Sequence, residues 1–543
     1  MNMKTKILAL GLALAFFVCQ SCTKLEDQSY HDILADQFEP TGDDLGALLG
    51  AAYVPWRQTL LLWNGVARAQ MLSADEDVLP ARPNGWVDGG IYKRMHQHKW
   101  TSEDDMCIQS WNRTYVGITA CNRVLYQIES GQISIPDEQE TIVSELKVLR
   151  ASYYYILVDL FGNVPLITDF DVPDGYLPEQ NTRQEVYEFI IKEITDNIDN
   201  LSEEVNTEYY GRFNKWAAYS LLAKMYLNSE IFSDGNYSEF QKCIDACDKI
   251  IECGEYELEA KQSSVFITEN ENSKEIIFAL PFDATYVTDW NAFDFHMYTL
   301  QSENQATYNF ESSPWGGVCC TPQYISSFDS EDARLADCFI QGQQYTASGD
   351  SLFCTMGNDA GAPLNYINEV PSIDNSQEYH GFRWGKFEYA MGINNRLSND
   401  WPLFRYADIL LMKAEALLRL GEADEAATLV TEVRQRNFKN NPEKAIVTGE
   451  QLLEGSSYDY GRRDNLVTET YEGGADIKYG RFLDELGWEF TQEARRRQDM
   501  IRFDVFTTKS WFSHSKSESY RNLYPIPESA LLTNSNLKQN SGY

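Results

Sequence analysis

The stretch Phe404 to Asn437 constrains this 543-residue chain more than any other. In its first half Ala407, Leu410, Leu411, Ala414, Leu417 and Leu418 recur at i, i+3, i+4 and i+7, which makes one helix face apolar. Gly421 then falls where the helix must end, because glycine alone adopts a left-handed backbone at no steric cost. A second amphipathic run follows with Ala426, Leu429, Val430 and Val433 on one side. Small residues sit where the two helices would cross closely. One such pair cannot bury its apolar face alone, so other pairs are expected elsewhere.

They are present. Leu146, Leu149, Tyr153, Ile156, Leu157 and Leu160 form a stripe closed by Gly162 and Pro165. Thr182 and Glu185 make a capping box ahead of Val186, Phe189, Ile190, Ile194, Ile198 and Leu201. Tyr219, Leu222, Ala223 and Tyr226 repeat the spacing of the opening stretch, with a partner helix around Phe240 to Ile251. A fourth pair would include Trp111 to Tyr126, and Leu45 to Leu72 reads as the first long helices. The spacing fits the tetratricopeptide template. The fold class is therefore mostly α: tetratricopeptide-like helix pairs over residues 44–252 and 401–543. Between them, residues 253–400 are irregular and aromatic, with one strand-like run at Ile276 to Leu280. A connection this long serves a function or folds as its own layer, so it is taken as a loop-rich ligand-binding subdomain.

The amino terminus carries a different signal. Lys4 and Lys6 precede an apolar run from Ile7 to Val18 and then Ser21-Cys22, the pattern of an export leader over residues 1–21. Cys22 is the expected lipidation site, and residues 22–43, polar and acidic, are the expected tether. No later stretch is apolar for the ~18 residues that a spanning helix needs. The net charge of −37 repels phosphate backbones and anionic headgroups, which excludes nucleic acid as a partner. Nine cysteines follow Cys22, an odd number whose spacings match no zinc framework. Cys243 and Cys247, at i and i+4 on an apolar helix, read as buried free thiols rather than a metal or redox pair. Neither metal nor cofactor is expected. Phe482 to Phe503 reads as a helix, with Arg495, Arg496, Arg497 and Arg502 beside Glu489, Glu493 and Asp499. A phosphate site is one reading; ion pairs from Glu493 to Arg497 and from Arg495 to Asp499 are the preferred one.

Aromatic residues exceed what a core needs, with 12 Trp, 32 Tyr and 27 Phe. Flat rings at a surface stack on sugar faces or on apolar side chains. The Gly-, Pro- and Asp-rich stretch from Ser73 to Trp100 is a loop of the kind that holds binding residues. Trp100 fits core packing, since Trp111, Tyr115 and Ile118 follow at helical intervals. Trp86 has no apolar face to join and reads equally as an exposed stacking platform or as packing. Acidic pairs at Asp75 and Glu76, Asp329 and Glu331, and Glu331 and Asp332 leave glycoside hydrolysis as an alternative. Peptide capture on the helical repeats is another.

Several blocks resemble the SusD-like outer-membrane lipoproteins. They are Glu493 to Phe503 (EARRRQDMIRF), Phe506 to Thr508, Tyr524 to Pro527 (YPIP) and the terminal Gln539 to Tyr543. Phe404 to Leu418, Leu149 to Pro165, Gly211 to Leu227 and Ser21-Cys22 extend the likeness over nearly the whole chain. The resemblance implies four tetratricopeptide-like helix pairs carrying a glycan-capturing subdomain. It also implies a lipid anchor in the outer membrane and a SusC-like TonB-dependent transporter as partner, with no catalysis; some members bind peptides. By position it implies Trp315, in SPWGGVC, as a ligand-stacking residue, with Trp86, Phe293 and Tyr298 near the other aromatic contributions. Trp290, in the same aromatic region, completes the expected rings, and Asn84 and Arg82 are expected to orient sugar hydroxyls.

Overall fold

A computed structural model describes residues 42–83, 85–135, 138–289 and 292–543, with side chains from Leu45 onward. The leader, Cys22, most of the tether, Asn84 and Trp290 lie outside the described residues. The first helix, Gly42–Leu60, begins inside the stretch expected as tether.

Eight helices form the scaffold as four successive pairs. Gly42–Leu60 packs on Asp105–Glu129, and Gln139–Leu160 on Arg183–Thr195. Lys215–Leu227 packs on Phe240–Cys253, and Tyr406–Leu420 on Ala423–Gln435. Each pair also leans on the next, so the chain of contacts is continuous. That continuity explains Lys215–Leu227, which has almost no polar face: it lies between neighbours on three sides and is buried nearly throughout. The helix ends follow the chemistry expected of them. Thr182 and Glu185 close their capping box, Asn214 accepts from the Ala217 amide at 3.0 Å, and Gly421 takes φ 95°.

The pairs approach closely where side chains are small. A Cβ added at Gly117 would lie 2.3 Å from the Tyr153 ring, whose hydroxyl reaches on to donate to the Ala52 carbonyl at 2.7 Å. Three helices thus meet over one glycine. Strand Ile276–Leu280 pairs antiparallel with Trp401–Arg405, Leu280 opposite Trp401, and the second strand runs straight into Tyr406–Leu420. The residues 253–400 region is thereby sewn back onto the scaffold, and its Phe266, Phe293 and Phe387 belong to the same continuous core as the helices. Among the described residues all nine cysteines are free thiols, and Cys243 and Cys247 are buried.

The carboxy-terminal arginines form ion pairs, with one correction to the expected partners. Arg495 does bond Asp499 at 3.0 Å, but Arg497 reaches Asp159 at 3.1 Å instead of Glu493. The cause is a break in what reads as one helix. Gly480–Phe490 and Arg496–Arg502 are separate helices, and between them Gln492 and Ala494 take φ 61° and 57°. Glu493 therefore points elsewhere, to Lys386 and Arg405.

Three histidines tie the Ser73 to Trp100 stretch to the carboxy terminus. His98 bridges the Ser73 carbonyl at 2.8 Å and the Ser517 hydroxyl at 2.9 Å, with His514 4.2 Å away ring to ring. Burial, with His96, Arg497 and Arg521 nearby, holds its pKa down to about 3. A histidine neutral in the fold and protonated when unfolded stabilises fully above its ordinary pKa and progressively less as pH falls below it.

Two outcomes follow from this packing. Gly117→Ala should destabilise by about 1–3 kcal/mol in denaturant titration, since the Tyr153 ring must move. An unchanged midpoint would mean that the helices do not cross so tightly. Lowering pH from 6.5 to 5 should destabilise the natural chain more than His98→Gln, by up to roughly 1.4 kcal/mol per pH unit. Parallel pH profiles of melting temperature would count against the buried neutral histidine.

Candidate functional site

The Ser73 to Trp100 stretch and residues 315–320 come together through one short ladder. Asp77–Val78 pairs antiparallel with Cys319–Cys320, and the Trp384 indole donates to Asp77 at 2.7 Å. On the other side, residues 315–318 lie along the short helix Phe295–Thr299 and its end. The Trp315 amide donates to Met297 at 2.9 Å, Gly316 to Leu300 at 2.8 Å, and Val318 to Tyr298 at 3.1 Å. Gly317 makes the approach possible: a Cβ there would sit 2.9 Å from both the Trp86 ring and the Tyr298 carbonyl.

The result is a cluster of three half-buried indoles. Trp86 donates its ring N–H to the Trp315 carbonyl at 3.1 Å. Trp63 meets Trp86 at 5.5 Å with the planes tilted by 43°, and meets Trp315 at 5.9 Å, nearly edge-on. Trp63, Trp86 and Trp315, with Met297, Ser312, Asn395 and Asp88, line a cleft of about 340 Å³. Trp86 and Trp315 also line a second cleft of about 320 Å³. Open clefts of this size, with flat apolar walls and a few polar groups, suit a ring-shaped polar ligand.

The platform stands on a buried support. The Arg68 guanidinium lies 4.5 Å from the Trp63 ring and 4.5 Å from the Tyr298 ring, and it pairs with Asp294. Burial lifts the Asp294 carboxyl to about 6, against the pull of Arg68. A cation held between two aromatic faces in a dry interior fixes their spacing.

Three expected ligand contacts are corrected. Phe293 is 0% exposed and packs edge-on against Phe295, Phe387 and Trp401. Tyr298, also 0% exposed, is the layer beneath the platform, 5.2 Å from Trp86. A ligand cannot reach either ring. Arg82 is 7% exposed and spends its donors on the Gly317 and Gln377 carbonyls and the Cys319 sulfur, so it braces the loop. Trp86 and Trp315 are the expected rings that the fold brings together at a cleft. Trp63 was not anticipated. It follows the helix end at Leu60, just before an Asn64-Gly65 turn in which Asn64 takes φ 56°, and that turn pair was the available clue.

The acidic pairs considered for hydrolysis are engaged elsewhere. Asp75 is clasped by Arg496 at 2.8 and 2.9 Å, and Glu76 is buried beside it. Asp329 and Glu331 share Lys444, and Asp332 pairs with Arg334.

Comparison with known proteins agrees with this architecture. A family described as "Starch-binding associating with outer membrane" matches residues 67–227, and the SusD family matches residues 274–521. The chain is 24% identical over 499 residues to the starch-binding protein SusD of Bacteroides thetaiotaomicron, covering 84% of this chain and 82% of that protein. Its fold is similar to a laminarin-binding SusD-like protein, with TM-score 0.69, 19% identity, and coverage of 93% of this chain and 100% of the other. It is likewise similar to surface glycan-binding protein A from Bacteroides thetaiotaomicron in complex with laminarihexaose, with TM-score 0.68, 18% identity, and coverage of 92% and 100%. Four stacked helix pairs, the loop-rich layer sewn onto them and these matches together make the chain a member of the SusD family.

Proposed function

We propose that this protein captures oligosaccharide at the cell surface and hands it to a SusC-like TonB-dependent transporter, itself breaking no bond. The observation that carries the reading is the convergence of Trp63, Trp86 and Trp315 on one open cleft. Indole faces held apart by a rigid support offer separate stacking surfaces to successive sugar rings. Relatives named for starch, laminarin and surface glycans favour carbohydrate over peptide.

Cys22 would carry the lipid that holds the chain to the outer membrane. No helix among the described residues is long and apolar enough to cross a membrane, which is compatible with such an anchor. The scaffold helices would face the transporter and the clefts the glycan. Two or three stacking contacts on an open surface give an affinity of roughly micromolar to millimolar, weak enough for release to a channel.

Affinity electrophoresis through a panel of neutral polysaccharides tests this directly. Trp315→Ala should weaken retention by about 1–3 kcal/mol, by analogy with stacking on nucleobases, while the melting temperature stays near that of the natural chain. Trp63→Ala should weaken it comparably. Retention unchanged in both variants, or any turnover of the bound glycan, would defeat the proposal.

A further inference from the structure

The second cleft lined by Trp86 and Trp315 carries a buried glutamate in its wall, with a second glutamate beside it. Glu378, 2% exposed, lines it and accepts from the Thr355 and Met356 amides, each at 3.0 Å. Glu303 accepts from the hydroxyl of the same Thr355 and, at 3.1 Å, from the cleft residue Ser302. Both carboxyl groups are thus gathered on one residue, Glu378 on the Thr355 amide and Glu303 on its hydroxyl.

A donor stands beside them. Gln301 is 5% exposed and lines the same cleft. Its carbonyl oxygen caps the Asn304 amide, while its Nε2 is buried with no hydrogen-bond partner. A buried donor left unmade is costly, and a ligand acceptor in the cleft would satisfy it. Carboxylate oxygens in turn accept from hydroxyl groups. Among the described residues lining the two clefts there is no lysine or arginine, and Asp88 adds a carboxylate to the first.

Resting on the glycan reading above, we infer that the second cleft is a further sugar subsite. In it Glu378 and Gln301, with Glu303 beside them, read hydroxyl groups and select a neutral glycan over one carrying uronate or sulfate groups. A neutral hydroxyl gains a charge-assisted hydrogen bond there. An anionic substituent would face carboxyl charge in a cleft lined by no lysine or arginine, since the nearby Arg82 and Arg383 are spent on backbone carbonyls, and discrimination is built from such repulsion as much as from attraction. The two clefts share the Trp86–Trp315 wall, so one glycan chain can pass over the indoles and occupy both.

Calorimetry on the natural chain decides it. The neutral probes are laminarihexaose, maltohexaose, xylohexaose and mannohexaose; the anionic ones are hexagalacturonate and an alginate hexamer. The natural chain should bind at least one neutral probe, and bind the anionic probes at least about tenfold more weakly. Glu378→Gln should weaken the neutral probe and narrow that ratio by about tenfold. Glu303→Gln, on a more accessible side chain, should act in the same direction and guards against misfolding of the first variant. Anionic probes bound as tightly as neutral ones, or an unchanged ratio in both folded variants, would overturn the subsite while leaving glycan capture standing. Binding to no probe would overturn both.

Discussion

Glu489 has no exposed surface, yet three guanidinium groups converge on it: Arg405 at 2.8 Å, Arg436 at 2.7 Å and Arg334 at 3.1 Å. Glu275 and Glu485 extend the cluster, the first bonding Arg405 and Arg436, the second Arg334, Arg434 and Arg481. The guanidiniums hold the carboxyls of Glu485 and Glu489 below the usual range despite burial. A cluster of this kind adds little net stability over a well-packed apolar core, whereas removing one member costs about 3–5 kcal/mol. Its effect is on placement. Bidentate guanidinium geometry tolerates few arrangements, so strand Trp401–Arg405, helix Ala423–Gln435 and helix Gly480–Phe490 can meet in only a few ways.

That placement reaches the clefts by a short route. The break after Phe490 lets Arg496 turn toward Asp75, at the start of the loop that carries Trp86. Arg497 and Arg502 from the same helix bond Asp159 and Glu415, on two different scaffold helices. One short helix thus fixes the scaffold and the root of the loop together. From that root the Asp77–Val78 ladder carries the position to residues 315–320, and Gly317 admits the Trp86 ring. Flexible indoles would lose conformational freedom on binding; indoles already immobilised have less to lose, and the affinity of an open site depends on that.

The helical half of this fold was legible because its signals are local. Periodicity, a capping box and a terminal glycine each act within a few residues, and all of them sit where the spacing places them. The resemblance at Glu493 to Phe503 marked that block as special but not why. Arg496 and Arg497 bond residues 421 and 338 positions away, and a helix break redirected Glu493. The site was only partly legible, for a related reason. In an irregular aromatic region no period separates inside from outside, so Phe293 and Tyr298 looked no different from Trp315. Burial there is decided by which strand and helix close over the ring. Trp63 was hidden by the apolar run before it, which reads as continuous helix although the helix ends at Leu60.

The same geometry bears on chemistry that an acidic sugar-facing site could be thought to perform. Glycoside hydrolysis sets two carboxyl groups about 5–5.5 Å apart for retention, or about 6.5–9.5 Å apart for inversion. Glu303 and Glu378 are both engaged by Thr355, the first by its hydroxyl and the second by its amide. Asp75 is neutralised by Arg496, and Asp329 and Glu331 by Lys444. Each of these carboxyl groups accepts hydrogen bonds or pairs with a cation within the fold. On the reading proposed above, a stacking wall flanked by acceptors, with one amide donor in reserve, would recognise hydroxyls and let the intact chain go.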